Sequence, residues 1–231
     1  MAKPNRIATR AHLANGIAHL LAVDKRLHPV ARRAGEIPFR SRREEGFEAL
    51  ISIVVSQQLS VAAADTIFGR LKAKVSPFSP EAVLAADSAM LRACGLSAPK
   101  QKHMKTIAGA ILDGSLDLAR LRAMADDDAR AHLTAVKGIG PWTADIYLMA
   151  SLGRADIWPV GDVGLQAAIT RALGLRKRPS EKQMEKLSKA WQPWRTIAAR
   201  MLWIHEDLSR REKKEAEATM KAAKAKKRKS K

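Results

Sequence analysis

A short turn in the second half of the chain, Gly138-Ile139-Gly140, has the composition of an anion-binding site. Glycine lets a partner approach the backbone closely, and the following Pro141 suits the first position of a helix, whose N–H groups attract anions. Lys137 adds a positive charge beside the turn. We therefore predict a phosphate contact here. The same residues also suit an ordinary helix end and loop, an alternative that the turn alone leaves open.

Asp162 is the candidate for catalytic chemistry. It follows Gly140 by 22 residues, within Trp-Pro-Val-Gly-Asp-Val-Gly-Leu. One carboxylate can stabilise a developing positive charge and can position or deprotonate a water molecule. The structural alternative is that Asp162 only caps the helix predicted over residues 163–173. One side chain can serve both purposes.

The elements that must position these residues are predicted to be helices. Apolar residues recur at helical spacing in the segment Phe47-Glu48-Ala49-Leu50-Ile51-Ser52-Ile53-Val54-Val55. Helix starts are indicated by the capping residues Ser60, Ser79, Asp87 and Ser180, the last forming a capping box with Gln183. Helix ends are indicated by Gly95, Gly114, Gly138, Gly153 and Gly174. No segment alternates apolar and polar residues over enough positions to form a sheet, so we predict an all-α fold of about ten helices.

Composition narrows the class of protein. The 231 residues include 42 Lys and Arg against 23 Asp and Glu, and the resulting net charge of +19 favours a polyanionic partner. An apolar fraction of 46% argues against a disordered basic protein. The single cysteine excludes an internal disulfide framework, a Cys-rich zinc site and a four-Cys iron–sulfur cluster. The six histidines lack metal-ligand spacing, so we predict no metal site.

The sequence also leads to expectations for the membrane association, oligomeric state and cellular location of the protein. No apolar run approaches the roughly 20 residues that span a bilayer, so we expect no membrane partner. We expect a monomer in the cytoplasm of a bacterium, associated with the nucleoid, or in the nucleus or an organelle of a eukaryote.

The motif Val-Lys-Gly-Ile-Gly-Pro-Trp-Thr-Ala, with Asp162 downstream, resembles the helix-hairpin-helix DNA glycosylase superfamily. Residues 47–70, 91–105 and 191–203 resemble its alkylpurine branch, the DNA-3-methyladenine glycosylase II type, and the resemblance spans residues 45–205. It implies hydrolysis of the N-glycosidic bond of alkylated purines, such as 3-methyladenine and 7-methylguanine, in double-stranded DNA during base excision repair. It also implies base flipping, Asp162 as the catalytic residue and no required cofactor.

The resemblance assigns a base pocket and a reaction type. Bifunctional members carry a Schiff-base lysine where this chain has Trp142, so the resemblance implies a monofunctional enzyme. Trp142 and Trp203 match pocket-lining tryptophans, whose faces can stack on an electron-poor base. Where relatives can carry a pocket tyrosine this chain has Ile146, with Tyr147 next to it, and we include both in the predicted pocket. Trp191 and Trp194 are predicted to lie in the core or at a domain interface.

The resemblance also assigns contacts with DNA. Lys137, Gly138, Ile139, Gly140 and Thr143 are predicted to bind the backbone. Gln57, Gln58 and Leu59 lie where the family places its intercalating residue, with Gln58 or Leu59 as the wedge. A polar turn between helices is the alternative. The carbonyls near Thr134, Val136 and Gly138 are predicted to be able to hold a monovalent cation, Na⁺ or K⁺.

We expect two helical lobes with the active-site cleft between them. Residues 45–160 form the central lobe, with the helix-hairpin-helix at about 133–152, while residues 1–44 and 161–210 form the second lobe. Residues 211–231, with ten Lys or Arg and three Glu, are predicted to be a disordered basic tail or a helix extension. The N-terminal α/β domain of longer bacterial relatives is expected to be absent.

Two other functions agree with part of the sequence. A non-catalytic helix-hairpin-helix DNA-binding module would explain the turn and the charge, but not Asp162 together with Trp142 and Trp203. A basic RNA-binding protein would be expected to carry surface aromatic platforms, which the sequence does not indicate.

Overall fold

The computed structural model describes residues 6–39 and 44–229, and for residues 222–229 it describes the backbone alone. The described residues form twelve α-helices, two short 3₁₀ turns and no β-strand. The all-α prediction is thus confirmed, with two helices more than the ten expected. The helices are α1 (Arg10–Val23), α2 (Leu27–Ala34), α3 (Phe47–Ser56), α4 (Val61–Lys74), α5 (Pro80–Ala85), α6 (Ser88–Ala93), α7 (Ala98–Leu112), α8 (Asp126–Thr134), α9 (Pro141–Ala150), α10 (Val163–Ala172), α11 (Glu181–Ser188) and α12 (Arg195–Lys229).

The chain divides into two compact units, and the first comprises residues 1–8 and 40–159. Its centre is α3, which packs against α4, α7 and α9. Most of α3 is buried, including Ile51, Ile53 and Val54. The apolar spacing over Phe47 to Val55 therefore reflects a helix covered on several sides.

The second unit comprises residues 9–39 and 160–231. Its helices α1, α2 and α10 all pack against α12. Gly16 allows α1 to approach α12 closely, because a Cβ there would lie 2.3 Å from Cδ1 of Ile197. Trp191 and Trp194 are buried in this unit, and Nε1 of Trp191 donates a hydrogen bond to Asp24 at 3.0 Å. Both tryptophans are core residues, as the sequence indicated.

The predicted helix boundaries largely agree with the structure. Ser60, Ser79 and Asp87 accept hydrogen bonds from backbone N–H groups at the starts of their helices, and Ser180 forms the predicted capping box with Gln183. The five glycines predicted to end helices all have φ between +61° and +105°, a region that favours glycine.

One helix, α2, was missed by the sequence analysis. Its N-cap, Arg26, makes no side-chain capping bond, so the usual start signal is lacking. The buried face of α2 is formed by Leu27, Val30 and Ala34. That i, i+3, i+7 spacing is the signal that could have revealed it.

The end of α8 and the N-terminal segment also differ from prediction. Helix α8 ends at Thr134, four residues before Gly138, which was predicted to mark its end. Residues 6–8 belong to the first unit, although the sequence assigned residues 1–44 to the second lobe. The backbone N–H of Ile7 donates to the carbonyl of Gly153 at 2.8 Å, which ties this segment to the first unit.

The C-terminal basic segment is helical in the structure as far as it is described. Helix α12 continues through Lys229, so of the two predicted forms, a disordered tail and a helix extension, the described residues have the second. The side chains of residues 211–221 are all exposed. An alanine- and lysine-rich sequence has high helix propensity, which explains a helix without a buried face. In the described part of the chain, none of the helices has the length and apolar character needed to cross a bilayer.

Candidate functional site

Asp162 lies at the start of α10, where its carboxylate has two defined partners. Oδ1 accepts a hydrogen bond from the backbone N–H of Leu165 at 2.5 Å and another from Nε1 of Trp203 at 3.2 Å. The side chain is partly exposed, as is that of Trp203. Asp162 therefore caps α10, as the structural alternative expected, and also has its carboxylate oriented by an indole. The helix N-terminus favours a negative charge at this position.

Gly164 provides the space in which Asp162 and Trp203 meet. A Cβ at this position would lie 3.1 Å from Oδ1 of Asp162 and 3.8 Å from Nε1 of Trp203. Any side chain would therefore crowd the carboxylate oxygen. Gly164 was not among the predicted site residues, although it follows Asp162 by only two positions in the sequence.

A buried carboxylate holds α10 against α12 and so fixes the relative positions of Asp162 and Trp203. Glu206 accepts hydrogen bonds from Arg171 of α10 at 2.9 Å and from Arg210 of α12 at 2.8 Å. Burial alone would raise the pKa of Glu206, but the two guanidinium groups outweigh it and the pKa is lowered. The i, i+4 spacing of Glu206 and Arg210 is a sequence signal that was not used.

In the first unit, α8 and α9 form the predicted hairpin around the glycine turn. Gly138 has φ of +105°, and a Cβ there would lie 2.6 Å from Cβ of His103 on α7. Glycine is thus required both by backbone conformation and by space. Lys137 and Gly140 are exposed, and α9 begins at Pro141 without a side-chain cap. An exposed helix start beside a lysine is the local geometry that suits a phosphate.

Three residues predicted to contact DNA make contacts within the protein. Nε2 of Gln57 donates to Oγ1 of Thr143 at 2.8 Å and more weakly to the carbonyl of Gly138 at 3.4 Å. Thr143 and Ile139 are only 1% and 3% exposed, because they lie on the inner side of the hairpin. Gln57 therefore holds the turn by hydrogen bonds, while the buried side chains of Thr143 and Ile139 pack it against the rest of the unit.

The predicted base pocket on α9 is only partly supported by exposure. Trp142 and Ile146, one helical turn apart, are partly exposed and share a face of α9. Tyr147 is 1% exposed, and its hydroxyl accepts a hydrogen bond from the backbone N–H of Gly46 at 2.9 Å. Burial raises the pKa of this phenol. Tyr147 is therefore a core residue, and its prediction as a pocket residue is corrected.

The segment predicted to supply a wedge is exposed and sharply turned. Among the described residues, Gln58 is the only one other than glycine with a positive φ, +57°. Its side chain and that of Leu59 are exposed, and Leu59 is 39% accessible to solvent. Nζ of Lys100 donates to the carbonyls of Val55 and Gln57 at 2.6 and 2.8 Å. The end of α3 is thereby closed by a partly buried ammonium group, whose pKa is lowered by desolvation.

The hairpin carbonyls that could hold a cation already have protein donors in part. The carbonyl of Val136 accepts from the N–H of Ile139 at 3.0 Å, and that of Gly138 accepts from Gln57. A carbonyl oxygen has two lone pairs, so these bonds leave acceptor capacity, and the monovalent cation stays a prediction. No group of three or more His, Cys, Asp or Glu side chains suited to a metal ion occurs among the described residues.

Comparison with known proteins decides the family. Residues 51–193, which include the hairpin and Asp162, match the model of the HhH-GPD superfamily base excision DNA repair proteins. The chain belongs to this family. The family resemblance derived from the hairpin motif is thereby confirmed.

Several similar proteins in this HhH-GPD family have been described. The chain is 34% identical to DNA-3-methyladenine glycosylase 1 of Schizosaccharomyces pombe, over 80% of this chain and 84% of that protein. It is 29% identical to an alkylbase DNA glycosidase-like protein of the same organism, over 80% of this chain and 90% of that protein. The predicted similarity to 3-methyladenine glycosylases is therefore confirmed, because the similar proteins carry such names.

Solved structures of the HhH-GPD family give the same result. A 3-methyladenine DNA glycosylase of Schizosaccharomyces pombe in complex with abasic DNA superposes with a TM-score of 0.78 at 32% identity, covering 82% of this chain and 95% of that one. A DNA-3-methyladenine glycosidase from Bacillus halodurans has a TM-score of 0.70 at 32% identity, covering 89% of this chain and 93% of that one. The helical architecture of this chain is thus that of DNA repair glycosylases.

Proposed function

We propose that this protein is a monofunctional DNA N-glycosylase that releases alkylated purines, of the 3-methyladenine and 7-methylguanine type, from double-stranded DNA. The damaged base is flipped out of the duplex, and water replaces it at the sugar carbon. The proposal combines the chemistry of Asp162 with the family of the chain. The relatives named as 3-methyladenine glycosylases support this choice of lesion.

The observation that carries the proposal is the carboxylate of Asp162 beside the indole of Trp203. An N3- or N7-alkylated purine already bears positive charge, so it leaves the sugar without protonation by a general acid. The remaining demands are stabilisation of an oxocarbenium-like sugar and activation of water. One oriented carboxylate can meet both demands. Trp203, held within hydrogen-bonding distance of that carboxylate, offers an aromatic face to the base.

We assign the base pocket on the first unit to Trp142 and Ile146, and the DNA-backbone contacts to Lys137, Gly138 and Gly140. These positions are accessible, unlike Tyr147, Ile139 and Thr143. Gln58 and Leu59 are the candidate wedge, because an exposed side chain on a turned backbone can enter the gap left by a flipped base.

The absence of a lysine nucleophile supports a monofunctional reaction. Helix α9 contains no lysine, and Trp142 stands where bifunctional relatives carry one. A Schiff base with the sugar requires such an amine. We therefore expect an intact abasic site as the DNA product.

Base release from alkylated duplex DNA tests the function. We expect 3-methyladenine and 7-methylguanine to appear in the soluble fraction on chromatography, with no strand break until alkali is added. Borohydride should trap no covalent adduct, and a bifunctional 8-oxoguanine glycosylase/lyase serves as the positive control. Failure to release either base would refute the glycosylase assignment. A trapped adduct would refute the monofunctional mechanism alone.

The exposed end of α12 is expected to increase nonspecific DNA affinity. Arg33 forms an ion pair with Glu212, so a deletion of residues 213–231 spares the last described ion pair between α12 and another helix. The deleted segment has nine Lys or Arg and two Glu, a net charge of +7. We predict weaker binding to undamaged duplex and a shallower dependence of binding on salt, measured by fluorescence anisotropy.

Single-turnover base release at saturating enzyme should hardly change in this deletion, because the segment contributes no side chain to the proposed chemistry. An unaltered salt dependence would show that the segment makes no DNA contact.

A further inference from the structure

The second unit contains a cavity of about 890 Å³ at the end of α10 that lies away from Asp162. Asp162 precedes the first residue of α10, whereas the cavity is lined by the segment after its last turn, Leu175 to Pro179, and by α11. The ten residues of α10 separate the two ends by about 15 Å. Neither Asp162 nor Trp203 is among the described residues that line the cavity.

The rim of this cavity is strongly basic. Four exposed cations line it and form no ion pair with any described side chain, namely Arg176, Lys177, Arg178 and Lys186. A fifth, Arg26, is already paired with Asp24 at 2.7 Å. No acidic residue is among the described residues that line the cavity. Like charges gathered in one place repel each other, and a bound anion would relieve that repulsion.

The floor of the cavity is aliphatic. Four aliphatic residues, here called the floor, belong to the lining, namely Leu175, Pro179, Leu187 and Ala190, and no aromatic side chain occurs among the described lining residues. A nucleobase would find no face on which to stack. The phosphates of a duplex would reach the rim but leave the apolar floor in water. A ligand that satisfies both parts must carry apolar groups between negative charges.

We propose that this cavity binds an acidic peptide segment of a partner protein, with one or two large apolar side chains on the aliphatic floor and carboxylates on the basic rim. Such a contact would tether the enzyme to another protein without occupying the surroundings of Asp162. The charge complementarity also favours rapid encounter with an acidic partner.

A fluorescein-labelled peptide, Asp-Asp-Asp-Leu-Phe-Asp-Asp, tests the proposal by anisotropy with the full chain. We expect saturable binding that weakens about tenfold or more in the double variant Arg176→Glu/Arg178→Glu, because each reversal replaces attraction by repulsion. The matched control is Lys182→Glu/Lys189→Glu, which makes the same charge change at exposed positions outside the cavity. Binding to this control should stay within about twofold of wild type, and thermal unfolding checks that all variants are folded.

Two further probes separate this site from simple charge attraction. A peptide with Ser-Ser in place of Leu-Phe should bind about tenfold more weakly, because it does not remove the aliphatic floor from water. Equal binding of both peptides, equal losses in both double variants, or no binding would overturn the proposal. A tenfold or greater loss of affinity for undamaged duplex DNA in Arg176→Glu/Arg178→Glu, without a similar loss in Lys182→Glu/Lys189→Glu, would assign the rim to nucleic acid and overturn the proposal as well.

Discussion

Asp162→Asn should abolish base release while leaving the protein folded. The asparagine oxygen can still accept the hydrogen bonds from Leu165 and Trp203 that Oδ1 accepts now. It cannot supply a negative charge to the oxocarbenium-like sugar or accept a proton from water. Loss of such electrostatic stabilisation costs about two to three orders of magnitude in rate. We expect at least that fall in single-turnover release of 3-methyladenine.

The matched control is Asp207→Asn, an exposed position on α12 of the same unit, which should release the base at the wild-type rate. Thermal unfolding and affinity for abasic DNA should be close to wild type in both variants. Asp162→Ala additionally removes the helix cap, which costs about 1 kcal/mol of stability. Release by Asp162→Asn within a few-fold of wild type would contradict the mechanism.

Arg154→Leu should cause a large loss of stability. Arg154 is fully buried, and its Nη2 donates to the carbonyls of Leu121 and Met124 at 2.6 and 2.7 Å. Its Nη1 lies 3.3 Å from Oδ1 of Asp126, the first residue of α8. Burial raises the pKa of Asp126, and the positive charge of Arg154 opposes that rise. Leucine would leave a carboxylate and two carbonyls without this donor.

Leaving two buried carbonyls without a donor costs about 1–3 kcal/mol each, and loss of the partly buried pair with Asp126 adds to this, so we expect the midpoint of thermal unfolding to fall by about 10 °C or more. The matched control is Arg122→Leu, whose guanidinium forms a half-exposed pair with Glu45 at 2.7 Å. Exposed pairs contribute about 0–1 kcal/mol, so that variant should unfold close to wild type. Similar midpoints for the two variants would show that Arg154 has no special role in stability.

Most helix boundaries could be predicted because they depend on local chemistry. A serine or aspartate before an apolar repeat satisfies free N–H groups, and a glycine with positive φ ends the helix, whatever the rest of the chain does. Helix α2 was missed because a start at Arg26 provides no such local signal. The sequence left the C-terminal segment open between a disordered tail and a helix extension, because high charge indicates solvation without indicating backbone conformation.

The candidate site was predicted as a set of residues but not as a set of contacts. Successive residues of a helix point about 100° apart, so Ile146 and Tyr147 have different environments although they are neighbours in sequence. Tyr147 falls on the buried face with Ala144 and Leu148, and spacing alone did not indicate which face was covered. The link from Gln57 to Thr143 joins residues 86 positions apart, a distance over which no sequence pattern operates. Asp162 was proposed from motif and spacing, whereas its contacts with Leu165 and Trp203 could be read only from the structure.

The choice of residue at position 138 is limited by the space around it as well as by its backbone conformation. A positive φ by itself would tolerate asparagine or aspartate, which enter the left-handed region more readily than other residues. The 2.6 Å approach to His103 excludes them too, because every residue except glycine has a Cβ. A library of all substitutions at Gly138 should therefore yield a single acceptable amino acid, whereas Gly114, whose φ is +80° with open space around it, should tolerate asparagine.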